Sequence, residues 1–327
     1  MSLRNMRLKN KKILITGGAG FIGSHLAEKL AKRHKVFILD NLDPYYDIEI
    51  KKRNIKIAED QGAKFIMGDI TDYNFLKRII KKNNIEIIFH EAARPGVRYS
   101  IKDPFLPNKV NVIGTLNVLK AALNSKVEKV INASSSSVYG NAKYLPINED
   151  LAIQPISPYG VSKLTAEHYC RVFYELYGLK TISLRYFTVY GPRMRPDLVI
   201  PIFTKSILKN NPPVIFGDGK QTRDFTYIDD IIDANLRFLE TDKANGKVLN
   251  IGSGRRVTIN YLVNILKNLL NSNLKPKYIN AIKGESRNTL ANINKAKELI
   301  GYKPNIPFEE GLKKFINWYK KNPNFYE

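Results

Sequence analysis

The stretch that most constrains this chain is Gly17-Gly18-Ala19-Gly20-Phe21-Ile22-Gly23. It follows a short apolar run, Ile13-Leu14-Ile15-Thr16, and precedes a helical pattern that continues to Leu30. Gly17, Gly20 and Gly23 stand three residues apart. Between a strand and a helix, that spacing lets the backbone turn tightly, approach a pyrophosphate and pack the helix close to the strand. A side chain would block each step. The helix start, at Phe21 and Ile22, offers free N–H groups and the positive end of a helix dipole to the phosphates. The string is weak evidence alone and much stronger evidence in this position.

A second apolar run, Val36-Phe37-Ile38-Leu39, ends at Asp40, seventeen residues past Gly23. A carboxylate there accepts both ribose hydroxyls of adenosine and repels a 2′-phosphate. The expected cofactor is therefore NAD rather than NADP.

Apolar runs continue to alternate with helical patterns. Phe65-Ile66-Met67 ends at Asp69, and Thr71 is the expected cap of a helix carrying Phe75, Leu76, Ile79 and Ile80 on one face. Residues 85–89 read as a fourth strand, 110–123 as a long helix and 130–132 as a fifth strand. Ser157 and Pro158 read as the N-cap and first position of another helix. Residues 181–184 form a sixth strand. Near-continuous apolar strands alternating with helices predict an α/β fold with a doubly wound parallel sheet covered on both faces. After Arg185 the texture changes, with Pro192, Pro196, Pro201, Pro212 and Pro213 breaking the pattern. We expect a Rossmann domain over 1–185 with a segment returning to it at about 227–252. Residues 186–226 and 253–327 would form a smaller α/β substrate domain.

Lys and Arg total 53 against 30 Asp and Glu, a net charge of +23. Such a balance raises nucleic acid as a partner. The cations are scattered, however, as in Lys51-Lys52-Arg53, Lys81-Lys82, Lys313-Lys314 and Lys320-Lys321, and no nucleic-acid signature accompanies them. They read as a solvated surface. The single cysteine, Cys170, excludes an intrachain disulfide and a cysteine zinc cage. His25, His34, His90 and His168 lack metal-ligand grouping, so no metal is expected. No apolar run approaches the roughly 18 residues of a membrane span. The basic start (Arg4, Arg7, Lys9, Lys11, Lys12) leads into only four apolar-run residues before the glycines, too few for a signal-peptide core. A soluble cytoplasmic protein with no membrane or nucleic-acid partner is expected.

Tyr159 and Lys163, four apart near a helix start, share a face. An ammonium near a phenol favours phenolate, and a phenol so lowered can take a proton from a hydroxyl. The fifth strand runs into Ala133-Ser134-Ser135-Ser136-Ser137-Val138-Tyr139-Gly140, at the sheet end where parallel sheets bind ligands. A serine there can hydrogen-bond the oxygen on which Tyr159 works. A polar turn is the plain alternative.

Further motifs are His90-Glu91-Ala92-Ala93, Asn111, and Gly217-Asp218-Gly219-Lys220-Gln221-Thr222-Arg223-Asp224. Together the chain resembles the extended short-chain dehydrogenases/reductases, specifically nucleotide-sugar epimerases, over essentially its whole length. The resemblance implies reversible oxidation of a sugar at carbon 4 by tightly held NAD. Tyr159, assisted by Ser135, would take the hydroxyl proton, and Lys163 would hold the ribose. The implied cofactor contacts are Gly17, Gly20, Phe21, Ile22, Gly23, Asp40, Asn41, Asp69, Ile70, Ala92, Ala93, Arg94, Asn111, Tyr159, Lys163 and Phe187. Asp69 would meet adenine, and Phe187 would lie near the nicotinamide. Dehydratases of this family carry Thr-Asp-Glu where this chain has Ser135-Ser136-Ser137, and decarboxylases place a Glu there. Elimination needs an additional acid and base, which Ser136 and Ser137 do not supply. A non-catalytic dinucleotide-binding regulator and a net dehydrogenase are the alternatives from other classes.

The segments 40–47, 92–100 and Phe187-Thr188-Val189-Tyr190-Gly191-Pro192 resemble those of UDP-glucuronate 4-epimerases. UDP-glucose epimerases usually carry Asn in place of Thr188. Arg94 departs from the pattern, which usually has Gln there. The implied reaction is UDP-glucuronate to UDP-galacturonate, with UDP-glucose/UDP-galactose or UDP-N-acetylhexosamine as alternatives. Implied substrate contacts are Arg98, Ser135, Ser136, Tyr159, Thr188 and Arg195, with Arg223 and Arg287 as diphosphate anchors. Thr188 and Arg195 match positions that meet the sugar carboxylate. By the same analogy the chain would be a homodimer, joined through the helices at about 110–123 and 158–177.

Overall fold

Adjacent residues of the first strand, β1 (Lys12–Thr16), enter different cores: Ile13 and Ile15 one, Leu14 the other. That alternation follows from the two-residue period of a strand, and it requires helices on both sides of the sheet. The structure, a computed structural model, describes residues 10–281 and 284–326. Arg4, Arg7 and Lys9 lie outside them.

The strands that follow are β2 (Lys35–Asp40), β3 (Lys64–Met67), β4 (Ile87–His90), β5 (Lys129–Ser135) and β6 (Lys180–Tyr186). Beyond these come β7 (Thr188–Tyr190), β8 (Val214–Phe216), β9 (Thr222–Arg223), β10 (Phe225–Tyr227), β11 (Val248–Ile251), β12 (Val257–Thr258) and β13 (Lys277–Ile279). The main sheet is parallel, in the order β11-β6-β5-β4-β1-β2-β3. The short pairs β7–β10, β9–β12 and β8–β13 lie outside it.

On one face, Leu14, Phe37, Leu39, Ile88 and Val130 meet Leu76 and Ile79 of helix Tyr73–Asn83, Val118 and Leu119 of helix Gly114–Asn124, and Phe173 of helix Pro158–Tyr177. On the other, Ile13, Ile15, Ile38, Phe89 and Ile131 meet Leu26 and Leu30 of helix Phe21–Ala31, Ile55 of helix Ile48–Glu59 and Ile231 of helix Ile228–Arg237. Each such side chain contributes roughly 1.5–3 kcal/mol when fully buried. The doubly wound α/β fold expected from the sequence is the fold observed. Its strand order reverses direction between β1 and β4, which opens a crevice at the carboxyl ends of the strands.

Two local readings are corrected. Asp72, not Thr71, caps helix Tyr73–Asn83: its Oδ1 accepts from Phe75 N at 2.9 Å. The Thr71 hydroxyl is engaged by Asp69 at 2.7 Å, and Asp ranks above Thr as an N-cap. The stretch 110–123 is not one α-helix. Asn108–Ile113 is a π-helical turn that becomes α-helical at Gly114, a register change that apolar periodicity does not report. Ser157 caps its helix as expected, accepting from Gly160 N at 3.1 Å, with Pro158 in the first turn. No helix among the described residues is long and apolar enough to cross a membrane.

Candidate active site

The crevice at the switch point is floored by the glycine loop. Gly17 has φ +69°, and a Cβ there would stand 2.6 Å from Ala92 N. Gly20 is the N-cap of helix Phe21–Ala31 and brings no side chain to it, so the first-turn N–H groups remain available to phosphate. A Cβ on Gly23 would run into the carbonyl oxygen of Gly17. The cradle therefore fits a dinucleotide pyrophosphate.

Asp40 ends β2 and is 8% exposed. Its Oδ2 accepts from Ala19 N at 3.2 Å and its Oδ1 from Leu42 N at 2.9 Å. The nearly buried Lys51 ammonium lies 3.6 Å from Oδ1. Lys51 is thus a buried partner of Asp40 and not the solvated surface cation expected from the sequence. It shares the buried stripe of its helix with Ile55 and Ala58. Asp69 accepts from Thr71 N at 2.7 Å and from Asn41 Nδ2 at 2.8 Å. Burial opposes its ionisation, and these hydrogen bonds outweigh burial, leaving the carboxyl below its ordinary value.

Gly17, Gly20, Phe21, Ile22, Gly23, Asp40, Asn41, Asp69, Ile70, Ala92, Ala93, Arg94, Tyr159 and Lys163 all line this crevice, and Arg195 joins them from the second half of the chain. Asn111 stands behind the lining. It accepts from Arg94 N at 2.7 Å and donates to Arg94 O at 3.1 Å and Ser162 Oγ at 2.9 Å, fixing the loop that follows β4. Phe187 packs among Val138, Tyr139, Ile147 and Ala291, outside the lining.

Over the mouth runs the loop after β2. Arg94 pairs with Asp43 and lies over the rings of Tyr45 (4.6 Å) and Tyr99 (5.7 Å). Arg195 lies over the Tyr45 ring as well, at 5.4 Å, and grips Asp197 through Nε at 2.9 Å and Nη2 at 3.0 Å.

Tyr159 sits in the first turn of its helix, with Lys163 one turn on. Lys163 Nζ donates to Ala133 O at 2.8 Å, and burial pushes the ammonium down to about 8, with Glu91 pulling it back. The Tyr159 phenol stands above its ordinary value, contrary to the lowering expected from Lys163. Burial raises it, the Arg195 guanidinium and a hydrogen bond with Ser135 work against that rise, and Glu91 adds to it. Ser135 Oγ donates to Ser137 Oγ at 2.9 Å, and Ser136 opens a short 3₁₀ turn. Beneath them Glu167 and Arg185 form a buried bidentate pair at 2.9 and 2.7 Å.

Glu91, named in the sequence only as part of the His90-Glu91-Ala92-Ala93 motif and given no role there, is a further residue of the site. It lies in this lining, accepts from Tyr186 Oη at 2.9 Å, and is pushed up to about 7 by burial.

The structure draws Arg98, Arg223 and Arg287 into one patch beyond the crevice. Arg98 Nε meets Glu285 at 2.8 Å, and Arg223 Nη2 meets the same carboxylate at 3.5 Å. Arg223 also donates to Arg287 O at 3.1 Å, while Arg287 pairs with Asp218 at 2.8 Å. Thr188 is held through its N–H by Asp224 O at 2.9 Å. Among the described residues no group of three or more His, Cys, Asp or Glu could hold a metal ion.

The profile of the family described as GDP-mannose 4,6 dehydratase matches residues 14–315. The chain belongs to that family. It is an extended short-chain dehydrogenase/reductase, as its motifs imply. A UDP-glucuronate 4-epimerase of Thermodesulfobacterium geofontis is 40% identical over 313 residues, covering 94% of this chain and 96% of that protein. The crystal structure of the Bacillus cereus UDP-glucuronic acid 4-epimerase with UDP-glucuronic acid and NAD is 39% identical. Its TM-score is 0.90, with 95% of this chain and 99% of that one covered. The Thermotoga maritima UDP-glucose 4-epimerase with UDP-glucose is 38% identical, with a TM-score of 0.89 and coverage of 96% and 100%. The relatives of this family member thus differ in the sugar they carry.

Proposed function

We propose that the protein is an NAD-dependent UDP-sugar 4-epimerase acting on UDP-glucuronate to give UDP-galacturonate. Bound NAD supplies the acceptor and donor of hydride at carbon 4. Tyr159 takes the 4-hydroxyl proton, Ser135 steadies that oxygen, and Lys163 binds the ribose while its charge stays near the phenol. Asp40 and Lys51 take the adenosine ribose. Arg98, Arg223 and Arg287 take the diphosphate, exchanging their present carboxylate partners Glu285 and Asp218 for it.

The observation that carries the uronate is the reach of Arg195. Arg195 lines the same crevice as Tyr159 and its charge acts on the phenol, so a cation lies near the point where the 4-hydroxyl gives up its proton. The carboxylate of a uronate is borne on carbon 5, next to that point. Oxidation at carbon 4 makes a β-keto acid, and an Arg fork with the Thr188 hydroxyl would hold the carboxylate out of line with the keto group, so that carbon dioxide is retained. A charge-assisted contact is worth roughly 1.5–3 kcal/mol, about one to two orders of magnitude in affinity. A neutral hexose is the second reading, favoured by Asp197, which already fills the Arg195 fork.

The same reading takes the division near residue 185 as that between cofactor and substrate halves. It also takes the exposed Ile113, Val161, Leu176 and Tyr177 as part of a homodimer face, in a cytoplasmic enzyme.

The test incubates the NAD-loaded protein with UDP-glucuronate, UDP-glucose and UDP-N-acetylglucosamine separately and resolves the products by NMR. Wild type should prefer the uronate, and Arg195→Ala should lower kcat/KM for it about tenfold or more relative to UDP-glucose. A wild-type preference for UDP-glucose would overturn the uronate; an equal loss for both sugars would place Arg195 on the diphosphate.

A further inference from the structure

Glu91 follows the last residue of β4, and its N–H continues the ladder to Thr16 O at 3.1 Å. The side chain turns into the crevice that Tyr159 and Lys163 line. Its Oε1 accepts from Tyr186 Oη at 2.9 Å, and Tyr186 ends β6. Asn235, wholly buried on helix Ile228–Arg237, completes the chain of contacts. Its Nδ2 lies 2.9 Å and its Oδ1 3.1 Å from the same Tyr186 oxygen.

This array is satisfied in either charge state of Glu91. When Glu91 is ionised, Tyr186 donates to the carboxylate and accepts from Asn235 Nδ2. When Glu91 is protonated, its hydroxyl donates to Tyr186 Oη, and the Tyr186 proton turns to Asn235 Oδ1. A half-buried carboxyl held in a hydrogen-bonded array resists titration when one state leaves a partner unpaired. Here a single hydroxyl rotation removes that penalty, and no backbone group need move.

The groups facing Glu91 are few. Tyr186 comes from β6, and Lys163 and Tyr159 come from helix Pro158–Tyr177. Farther along that helix, Glu167 and Cys170 act on Lys163, and Arg195 acts on Tyr159 from across the crevice. His90, next in chain, is turned instead to Thr16 and Thr115. Ionised Glu91 holds Lys163 as ammonium and opposes a second negative charge on Tyr159.

We propose that Glu91 is a positioning residue whose charge state, switched through the Tyr186–Asn235 rotor, sets the ionisation of the Tyr159–Lys163 pair. For its catalytic consequence the proposal rests on the epimerase reading. Tyr159 accepts a proton only as phenolate, so the rate rises with pH through the Tyr159 pKa. Ionised Glu91 places that rise at higher pH than a neutral side chain would, because its own charge acts on the phenol whereas Lys163 is not among the charges that shift it.

The experiment uses the NAD-bound protein and two readouts. The ionisation midpoint of Tyr159 is taken from phenolate absorbance, with the Tyr159→Phe variant subtracted, and the pH profile of kcat is measured beside it. In Glu91→Gln both midpoints should fall by about half a pH unit or more, roughly threefold in rate on the rising limb, with KM little changed. Tyr186→Phe removes the donor that favours the Glu91 carboxylate, and so should move both midpoints the same way by less. The double variant should move them no further than Glu91→Gln alone. An unmoved phenolate midpoint in Glu91→Gln, or shifts that add in the double variant, would overturn the proposal. If the phenolate midpoint moves but no UDP-sugar is interconverted, the epimerase reading fails and the role of Glu91 in setting the pair stands.

Discussion

The Tyr45 hydroxyl donates to Asp197 Oδ2 at 3.0 Å, joining residues 152 apart in the chain. The bond ties the loop after β2 to the segment after Pro192, and Arg94 and Arg195 lie over the same Tyr45 ring. The loop is thereby strapped across the mouth of the crevice.

The strap is expected to slow the release of a dinucleotide from the crevice. Tyr45→Phe keeps the ring and its two cations but deletes the bond to a carboxylate, a loss of roughly 1.5–3 kcal/mol. Bound NAD should exchange with labelled NAD about tenfold faster or more, with kcat changed little. An exchange rate equal to wild type would mean that the strap does not gate the crevice.

Two glycines at the start of helix Phe21–Ala31 should fail in different ways. A Cβ on Gly20 meets only the Gly17 carbonyl oxygen, at 3.1 Å, and lies on the ligand side of the loop. Gly20→Val should therefore fold with a near-normal Tm and bind no NAD. Gly23→Ala should lose about 1–3 kcal/mol of stability, because its Cβ is driven into backbone that cannot shift as a side chain can. Thermal melts and the NAD content of purified protein separate the two. Stoichiometric NAD in Gly20→Val would remove the pyrophosphate from this loop.

The parts of the site legible in sequence are those written locally. Gly17 to Gly23, Asp40 at a strand end and Tyr159 with Lys163 each declare themselves by short spacing and element type. Lys51 and Glu91 were less legible, because a charged residue in an apolar stripe or after a strand gains meaning only from what faces it. Tyr45 with Asp197, and Arg98 and Arg223 sharing Glu285, are contacts between distant segments for which spacing carries no signal. The ionisation of Tyr159 was misread for a related reason. A lysine four residues away is visible in sequence, but the removal of water from the phenol, the largest cause of its rise, is a property of the folded crevice, and Lys163 is not among the charges that shift it. The π-turn at Asn108–Ile113 was hidden because one extra residue per turn barely disturbs an apolar pattern.

A last prediction concerns His90, 2% exposed at the end of β4. Thr115 Oγ1 gives its proton to Asn111 O, so it accepts from His90 Nε2–H at 2.9 Å. The other ring nitrogen, Nδ1, then accepts from Thr16 Oγ1 at 2.7 Å. This pattern needs the neutral ring, and burial with the nearby Lys163 charge pushes the imidazole down to about 3. In the unfolded chain the ordinary value is about 6.5. The unfolded state therefore takes up the proton first as pH falls. The stabilisation from keeping His90 neutral is fully present above pH 6.5 and is lost progressively between there and about 3. Glu91, raised in the fold, acts in the opposite sense over part of this range, so wild type alone does not isolate the effect. The gap in unfolding free energy between wild type and His90→Gln does, because every other group is common to both. That gap should narrow by about 1.6 kcal/mol in total as pH falls from 6.5 to 5, measured by urea unfolding at fixed ionic strength. A gap constant with pH would show that the folded protein admits the proton at His90, and that the Thr16 and Thr115 hydroxyls do not hold the ring neutral.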